Sequence, residues 1–276
     1  MLTCPATTVL LISRGTMSGA RMIAECLLRC GGIRCVTRED LLATVNTYGD
    51  LATRIAHQIA KAEQEYDEFS EIRRPYRILM RRALLEHARQ GKLAYFGYSG
   101  HLLVPRIAHF VRVRLIAPME MRVARTRELL GYSAAEAREY IRRVDQERTH
   151  WARLVYGLDI RDPAQYDICI NVERLSLTGA CVLLSQVLEQ PDFQPSPESV
   201  AQVENEYLAT QVLAALAADP ATTRFELGAN ASGNVLRLTG PLLADNEKRL
   251  VLSLAGAVPG VREVDYEPGY APAFAS

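Results

Sequence analysis

The sequence predicts an α/β protein in which helices cover both faces of a parallel sheet, followed by a smaller α+β unit. Two observations lead to this prediction. Short apolar runs of the strand type alternate with longer segments of helical periodicity through the first two thirds of the chain. Near position 190, three prolines then fall within eight residues, and the order of the elements changes after them.

The chain begins with the order strand, glycine loop, helix. Residues 7–13, TTVLLIS, form a β-branched apolar run that predicts a buried strand, and residues 15–19 follow as a loop before helical periodicity at 20–29. Further strands are expected at 93–96, 111–116 and 166–170, and further helices at 38–46, 51–64, 76–90, 119–129, 134–154 and 177–189. This opening is typical of nucleotide-binding folds.

An arginine-rich pair of helices is inserted between the last two strands of this part. The second helix begins with Ser133 followed three residues later by Glu136, which predicts a capping box.

The proline cluster predicts a domain boundary. We expect a first domain at 1–190, a linker at 191–198, a second domain at 199–268 and a disordered tail at 269–276. The second domain predicts the order αββαβ, with a helix at 200–217, strands at 224–229 and 235–239, a helix at 244–255 and a strand at 261–266.

Charge is divided unevenly between the two parts. Net charge is zero, but residues 191–276 hold 11 acids and 5 bases. The positive first part suits an anionic ligand, although a solvated basic face would give the same excess.

Cysteine and histidine usage favours a reduced protein without a metal site. The six cysteines show no CxxC pair and lie mostly in apolar runs, which predicts small buried hydrophobes and a cytoplasmic location. The five histidines lack metal-ligand spacing. The apolar stretch near the N-terminus is too short for a membrane span or an export signal.

The loop after the first strand is the most informative segment, and it reads ISRGTMSGARMIA from Ile12 to Ala24. A phosphate loop works because backbone N–H groups and a helix N-terminus point at phosphate oxygens while a cation meets the outer phosphates. The usual lysine is missing, since the chain has lysine only at positions 61, 92 and 248. An ordinary glycine-bearing connection from strand to helix also fits this pattern.

This loop resembles that of the cytidylate kinase-like family, S-R-x-x-G-S-G-G-R-x-I-A. Met17 and Ala20 each replace a glycine of that pattern, which weakens the cradle because a side chain stands where backbone must approach phosphate. The resemblance extends over about 7–188 through LAYFGYSG, APMEMR, VDQER and YDICIN, which begin at positions 93, 117, 144 and 166. Tyr98 stands where the family has a nucleotide-binding arginine.

The resemblance implies a P-loop kinase fold with a helical lid, ATP and Mg²⁺ as cofactors, and nucleoside phosphates as ligands. It also implies the roles of individual residues, all of which are expectations here: catalysis by Arg21, Arg122, Arg125 and Arg148, cofactor binding by Arg14, Gly15, Ser18, Gly19 and Arg21, and substrate binding by Tyr98 and Asp145. Arginine suits this work because its planar guanidinium can pair with two phosphate oxygens.

Two functions remain open from the sequence. One is a nucleotide-binding regulator that has kept the fold but lost turnover, which Met17, Ala20 and Tyr98 favour. The other is an active ATP-dependent kinase of CMP or dCMP, which the arginine-rich lid favours.

The last part of the chain resembles a BON domain in the segments NVLRLTG from Asn234 and VPGVREV from Val258. The resemblance implies binding of a protein or small ligand without catalysis. The acidic charge of this part disfavours an anionic membrane, and no nucleic-acid partner is expected.

Overall fold

The computed structural model describes residues 8–49, 53 and 69–269. The chain forms two compact units: unit 1 comprises Met1–Arg38 with Gln90–Ser196, and unit 2 comprises Glu39–Arg89 with Pro197–Ser276. The strands are β1 (Val9–Arg14), β2 (Arg34–Thr37), β3 (Leu93–Gly97), β4 (Phe110–Ile116), β5 (Ile168–Asn171), β6 (Gly228–Ser232), β7 (Val235–Gly240) and β8 (Glu263–Pro268). The helices are α1 (Ala20–Gly31), α2 (Arg38–Val45), α3 (Phe69–Ala88), α4 (Met119–Leu130), α5 (Ala134–Tyr156), α6 (Leu177–Val187), α7 (Pro197–Ala218) and α8 (Asp245–Gly256).

Unit 1 is built on a five-stranded parallel sheet with the order β2-β3-β1-β4-β5. The central strand β1 is fully buried from Val9 to Ile12, which accounts for its unbroken apolar run. Helices α1 and α6 pack on one face, where Ile23 and Leu184 join the core. The α/β fold with a parallel sheet flanked by helices is therefore confirmed.

Helices α4 and α5, which we call the lid helices, form the predicted insertion between β4 and β5. The predicted capping box is present, because the Ser133 hydroxyl accepts the Glu136 N–H and the Glu136 carboxylate accepts the Ser133 N–H. The two helices pack on each other through a small core that includes Val123 and Ile141.

Unit 2 carries a three-stranded sheet with the order β6-β7-β8, in which β6 and β7 are antiparallel and β7 and β8 are parallel. Its C-terminal part follows the predicted order αββαβ. The likeness to a BON domain stays a prediction, as do the domain bounds 1–190 and 199–268. The contacts also group Glu39–Arg89 with the C-terminal residues, which the linear division of the sequence did not anticipate.

Sequence reasoning missed β2, which is four residues long and lies at the edge of the sheet. So short a strand carries little periodicity. The helix predicted at 51–64 and most of the predicted tail lie outside the described residues. Within the part of the chain that is described, no helix combines the length and the apolar composition needed to cross a membrane.

Candidate functional site: a glycine loop faced by lid arginines

The loop Gly15–Gly19 connects β1 to α1 at the carboxyl edge of the sheet, as predicted. The Gly15 N–H donates to the Leu115 carbonyl at 3.2 Å, and the Ser18 N–H donates to the Gly15 carbonyl at 3.2 Å. A helix N-terminus presents backbone N–H groups that lack partners within the helix, and its dipole favours negative charge. The two bonds fix the conformation of the loop, and the first N–H groups of α1 are the ones without partners inside the helix.

Glycine is required at position 19 for two reasons. Gly19 has a φ of 95°, in the left-handed region that side chains disfavour. A Cβ atom there would also lie 2.7 Å from a methyl carbon of Leu177, the first residue of α6. Gly15 has neither constraint, because its nearest neighbour would be the Arg122 guanidinium at 3.6 Å.

Met17 and Ala20, the two departures from the family pattern, differ in their surroundings. Met17 has a φ of 59° and is the one non-glycine residue with positive φ in the described chain. A left-handed conformation costs an L-residue about 1–2 kcal/mol. Ala20 begins α1, and its side chain is buried in the core. Replacement of glycine therefore strains the backbone at Met17. At Ala20 the side chain is directed into the core and does not crowd the loop.

Arg122 and Asp145, one from each lid helix, meet the loop at Thr16. The Arg122 Nε donates to the Thr16 carbonyl at 2.6 Å, the Thr16 N–H donates to the Asp145 carboxylate at 3.1 Å, and Arg122 also donates to Asp145. Burial alone would raise the pKa of Asp145, but the hydrogen bonds from Arg122 and Thr16 bring it below its ordinary value.

Two further lid arginines reach the same loop. Arg125 donates to the Met17 carbonyl at 3.3 Å, and Arg148 donates to the Thr16 Oγ1 at 3.0 Å. The Arg148 guanidinium lies 5.5 Å from the centre of the Tyr98 ring, within cation–π range. Burial, followed by the positive charge of Arg14, lowers the pKa of Arg148.

Hydrogen bonds around Ser13, in the strand that leads into the loop, hold the neighbouring segments in place. The Ser13 hydroxyl donates to the Tyr98 carbonyl at 3.0 Å and accepts from Arg114 at 2.8 Å, while the Tyr166 hydroxyl lies 3.1 Å from it. His101 lies on Tyr166 with ring centroids 4.5 Å apart. These contacts fix the segment after β3, including Tyr98, beside the loop.

Ser18 is the clearest unmet polar group of the loop. The residue is 1% exposed, and its Oγ has no hydrogen-bond partner among the described residues. A buried hydroxyl without a partner costs about 1–3 kcal/mol unless a ligand or water satisfies it. It lies immediately before the N-terminus of α1, where an anion would be bound.

The chain is similar in sequence to known proteins. The sequence model of the cytidylate kinase-like family matches residues 9–174, which is more than half of the 276 residues. The chain belongs to the cytidylate kinase-like family. It is 30% identical over 169 residues to a protein named cytidylate kinase from Methanothermobacter thermautotrophicus, and the match covers 59% of this chain and 92% of that protein.

Solved structures match the chain at low sequence identity. An uncharacterized protein from Eubacterium ventriosum matches with a TM-score of 0.51 and 14% identity, over 66% of this chain and 99% of that chain. A shikimate kinase from Bacteroides thetaiotaomicron matches with a TM-score of 0.40 and 14% identity, over 67% and 100%. The first of these likenesses is one of fold alone.

The structure of this cytidylate kinase-like chain brings most of the predicted site residues together. The residues found at the loop or in contact with it are Gly15, Ser18, Gly19, Tyr98, Arg122, Arg125, Asp145 and Arg148, and Arg14 ends the strand that leads into the loop. Arg21 is placed differently, because its side chain is 90% exposed and pairs with Glu25 one turn along α1. Their roles in binding and catalysis stay predictions.

Sequence reasoning missed Thr16 and the group formed by Ser13, Arg114 and Tyr166. Thr16 is a variable position of the quoted pattern, so nothing in the sequence marked it. Arg114 lies inside a strand, and only the register that pairs it with Ser13 shows that it supports the loop.

The expectation of reduced cysteines that are mostly small buried hydrophobes is wrong at three positions. Cys26 of α1 and Cys181 of α6 form a disulfide, with their Cα atoms 6.3 Å apart, and Cys169 is exposed. No local pattern marks the disulfide, because 155 residues separate the two cysteines and only the packing of α1 on α6 brings them together. The described residues contain no group of three or more His, Cys, Asp or Glu side chains that could hold a metal ion.

Proposed function

We propose that the loop Gly15–Gly19 binds the phosphates of a nucleoside triphosphate and that the protein acts as a nucleotide-binding regulator with little or no phosphoryl transfer. The observation that carries the proposal is the buried, unpartnered hydroxyl of Ser18 at the N-terminus of α1, with three lid arginines in contact with the same loop. Phosphate oxygens accept hydrogen bonds from such a hydroxyl and from backbone N–H groups.

The arginines supply the charge that a triphosphate needs. Arg122, Arg125 and Arg148 contact Thr16 or Met17, and only one carboxylate, that of Asp145, bonds to this cluster in the described chain. The balance at the loop is therefore positive. Guanidinium groups bind phosphate in two-point hydrogen bonds, so the lid helices can clamp a bound nucleotide.

The residues at the loop fit a site for the phosphates of ATP better than a site in which protein side chains alone hold a magnesium ion. Magnesium in nucleotide sites is commonly held by phosphate oxygens and water with one or two protein oxygens. Ser18, Thr16 and Asp145 are the described side chains at the loop that could supply such an oxygen. The Thr16 hydroxyl already accepts from Arg148, and Asp145 is bonded to Arg122 and Thr16. We therefore expect Mg²⁺ to arrive with the nucleotide.

Weak transfer follows from what the site lacks. Phosphoryl transfer depends on positioned charge, and loss of one such group typically costs about 2.7–4 kcal/mol, or about a hundred- to a thousandfold in rate. Tyr98 stands where the family has arginine, and Met17 holds a left-handed backbone where the family has glycine. Each of these removes or strains a part that the transition state would use.

An active kinase of CMP or dCMP is the second candidate. The contacts that favour it are those of Arg122, Arg125 and Arg148, since a lid that only covered a pocket would not need three guanidinium groups on two loop residues. The similar protein named cytidylate kinase supports the same candidate.

For the C-terminal part we propose a binding role, for a protein or small ligand, that supports regulation. Its net acidic charge and its order of elements, αββαβ, support this, and it contributes none of the residues at the loop. We further propose that the protein is cytoplasmic, where nucleotides are abundant.

Calorimetric titration with ATP and magnesium tests the binding proposal. We expect saturable binding by the wild type, a clear loss of affinity in Ser18→Ala, and no change in Ser185→Ala, whose hydroxyl already donates to the Cys181 carbonyl. Absence of binding by the wild type, to ATP and to inorganic triphosphate alike, would overturn the proposal.

Coupled ADP-release assays across the common nucleoside monophosphates test whether transfer occurs. We expect a wild-type rate well below about 1–100 per second, the usual kinase range. Met17→Gly and Tyr98→Arg should raise it, whereas Ala20→Gly, which makes the same exchange at a residue buried in the core, should not. A wild-type rate within the kinase range would establish the active-kinase alternative instead.

A further inference from the structure

Thr16 bonds to three lid residues through three different atoms. Its N–H donates to Asp145, its carbonyl accepts from Arg122, and its Oγ1 accepts from Arg148. Met17, the next residue of the loop, has one hydrogen bond to the lid helices in the described part of the chain, that from Arg125. Thr16 is thus where the lid helices are attached to the loop.

The hydroxyl has a separate role from the two backbone groups. Any residue other than proline at position 16 would supply the N–H and the carbonyl, but only a hydroxyl or another short acceptor can bind the Arg148 guanidinium at 3.0 Å. Thr16 is 3% exposed, so water does not readily replace it as the acceptor.

Arg148 needs such an acceptor in order to stay at the loop. Its side chain has several rotatable bonds, and a free arginine loses considerable rotamer entropy when it is fixed. The positive charge of Arg14 acts on it and opposes its placement there. The Thr16 hydroxyl on one side and the Tyr98 ring on the other contact the guanidinium, and the negative charge of Asp145 also favours it there.

We propose that Thr16 is a positioning residue, whose hydroxyl fixes the Arg148 guanidinium beside the loop so that an arriving phosphate finds it in place. The proposal rests on the proposed function of the loop and adds a residue that the family pattern leaves variable. A serine at position 16 would do the same work, whereas valine, which has the same shape without the hydroxyl, would not.

A double-mutant cycle separates positioning from plain stability. The variants are Thr16→Val, Thr16→Ser, Arg148→Met and the double variant Thr16→Val/Arg148→Met, each titrated with ATP and magnesium after its melting curve has been checked. Thr222→Val is the matched control, because Thr222 is also buried and its hydroxyl donates to the Leu216 carbonyl in unit 2. If Thr16→Val does not fold, Thr16→Ala takes its place.

We expect Thr16→Val to weaken ATP binding about tenfold in the wild-type background, the size of one hydrogen bond to a charged group, and less than about twofold when Arg148 is already methionine. Thr16→Ser and Thr222→Val should bind as the wild type does. In the ADP-release assay, any measurable transfer should fall with Thr16→Val and return with Thr16→Ser.

Two results would overturn the proposal while leaving the proposed function standing. One is an equal loss of affinity from Thr16→Val in both backgrounds, and the other is Thr16→Ser binding as weakly as Thr16→Val. A wild type that does not bind ATP would overturn both, and it would be recognised from the flat wild-type titration before any variant is compared.

Discussion

Arginine plays two different parts in the two units. In unit 1, Arg122, Arg125 and Arg148 bond mostly to loop backbone and to Thr16, beside an unpartnered serine hydroxyl. In unit 2, Arg81 of α3 is 7% exposed and pairs with Glu206 of α7. The first set leaves guanidinium donors near a helix N-terminus, whereas the second is neutralised inside a helix contact.

The contrast shows that arginine content alone does not mark a site. Helix α3 is as rich in arginine as the lid helices, and Arg74 even donates to two backbone carbonyls, those of Phe225 and Leu227. Those carbonyls precede β6, so Arg74 joins α3 to the C-terminal part of unit 2. What distinguishes unit 1 is that its arginines contact a loop at a helix N-terminus, beside the buried and unpartnered hydroxyl of Ser18.

The largest expected effect comes from breaking the buried pair of unit 2. Burial lowers the pKa of Arg81, although Glu206 partly restores it. Arg81→Leu leaves the Glu206 carboxylate without its partner, which typically costs about 3–5 kcal/mol. We expect a loss of that size in the free energy of unfolding in urea, with ATP affinity in the surviving folded protein unchanged.

A more exposed pair in the same unit provides the control. Arg89, the residue that follows α3, and Glu204 of α7 are 36% and 51% exposed, so Arg89→Ala should cost less than about 1 kcal/mol. Arg81→Leu/Glu206→Leu should recover most of the loss from the single variant. If Arg81→Leu and Arg89→Ala lower the unfolding free energy by the same amount, burial does not determine how much each ion pair contributes.

A smaller effect is expected from His101, which lies among the arginines of unit 1. Burial first, and then the charges of Arg112, Arg114 and Arg106, lower the pKa of His101 to about 3. The unfolded chain takes up this proton near pH 6.5, while the folded chain stays neutral until about pH 3. The stability that the neutral His101 ring contributes is therefore fully present above pH 6.5, and it is lost as the pH falls from 6.5 toward 3.

Between about pH 5.5 and 4.5 this histidine should contribute a slope of about 1.4 kcal/mol per pH unit to the free energy of unfolding, and at pH 6.5 about half of that slope, because only half of the unfolded chains are protonated there. His101→Phe removes the titrating group, so the difference between wild type and variant should shift by that slope when urea curves are compared across the range. A difference that does not vary with pH would mean that the ring is not held neutral by its surroundings.

The sequence was informative where one local rule decides the structure. The buried run before the loop predicted β1, and Ser133 with Glu136 predicted the start of α5. The lid arginines came from the family resemblance. Contacts between distant segments were not predictable: the disulfide of Cys26 and Cys181, the bond from Thr16 to Arg148, and the grouping of Glu39–Arg89 with the C-terminal residues each depend on packing that no local pattern encodes.

The smallest expected effect concerns Arg21, which the family pattern places among the catalytic residues. Its side chain is 90% exposed and bonds to Glu25 at 3.1 Å, four residues along α1. An exposed pair of this spacing contributes about 0.3–0.5 kcal/mol, so Arg21→Ala should change the unfolding free energy by no more than that. We also expect ATP affinity to fall far less than in Arg148→Met, because Arg148 contacts the loop and Arg21 is directed away from it.

Arg21→Ala therefore tests whether contact with the loop or agreement with the family pattern identifies the binding arginines. Glu25→Gln is its control, since it breaks the same pair while keeping the arginine. If Arg21→Ala weakens ATP binding as strongly as Arg148→Met while Glu25→Gln does not, Arg21 must leave Glu25 and turn to the nucleotide on binding. Arg21 would then bind the nucleotide together with Arg122, Arg125 and Arg148. In that case the arginines that bind could be recognised only in the structure with nucleotide bound.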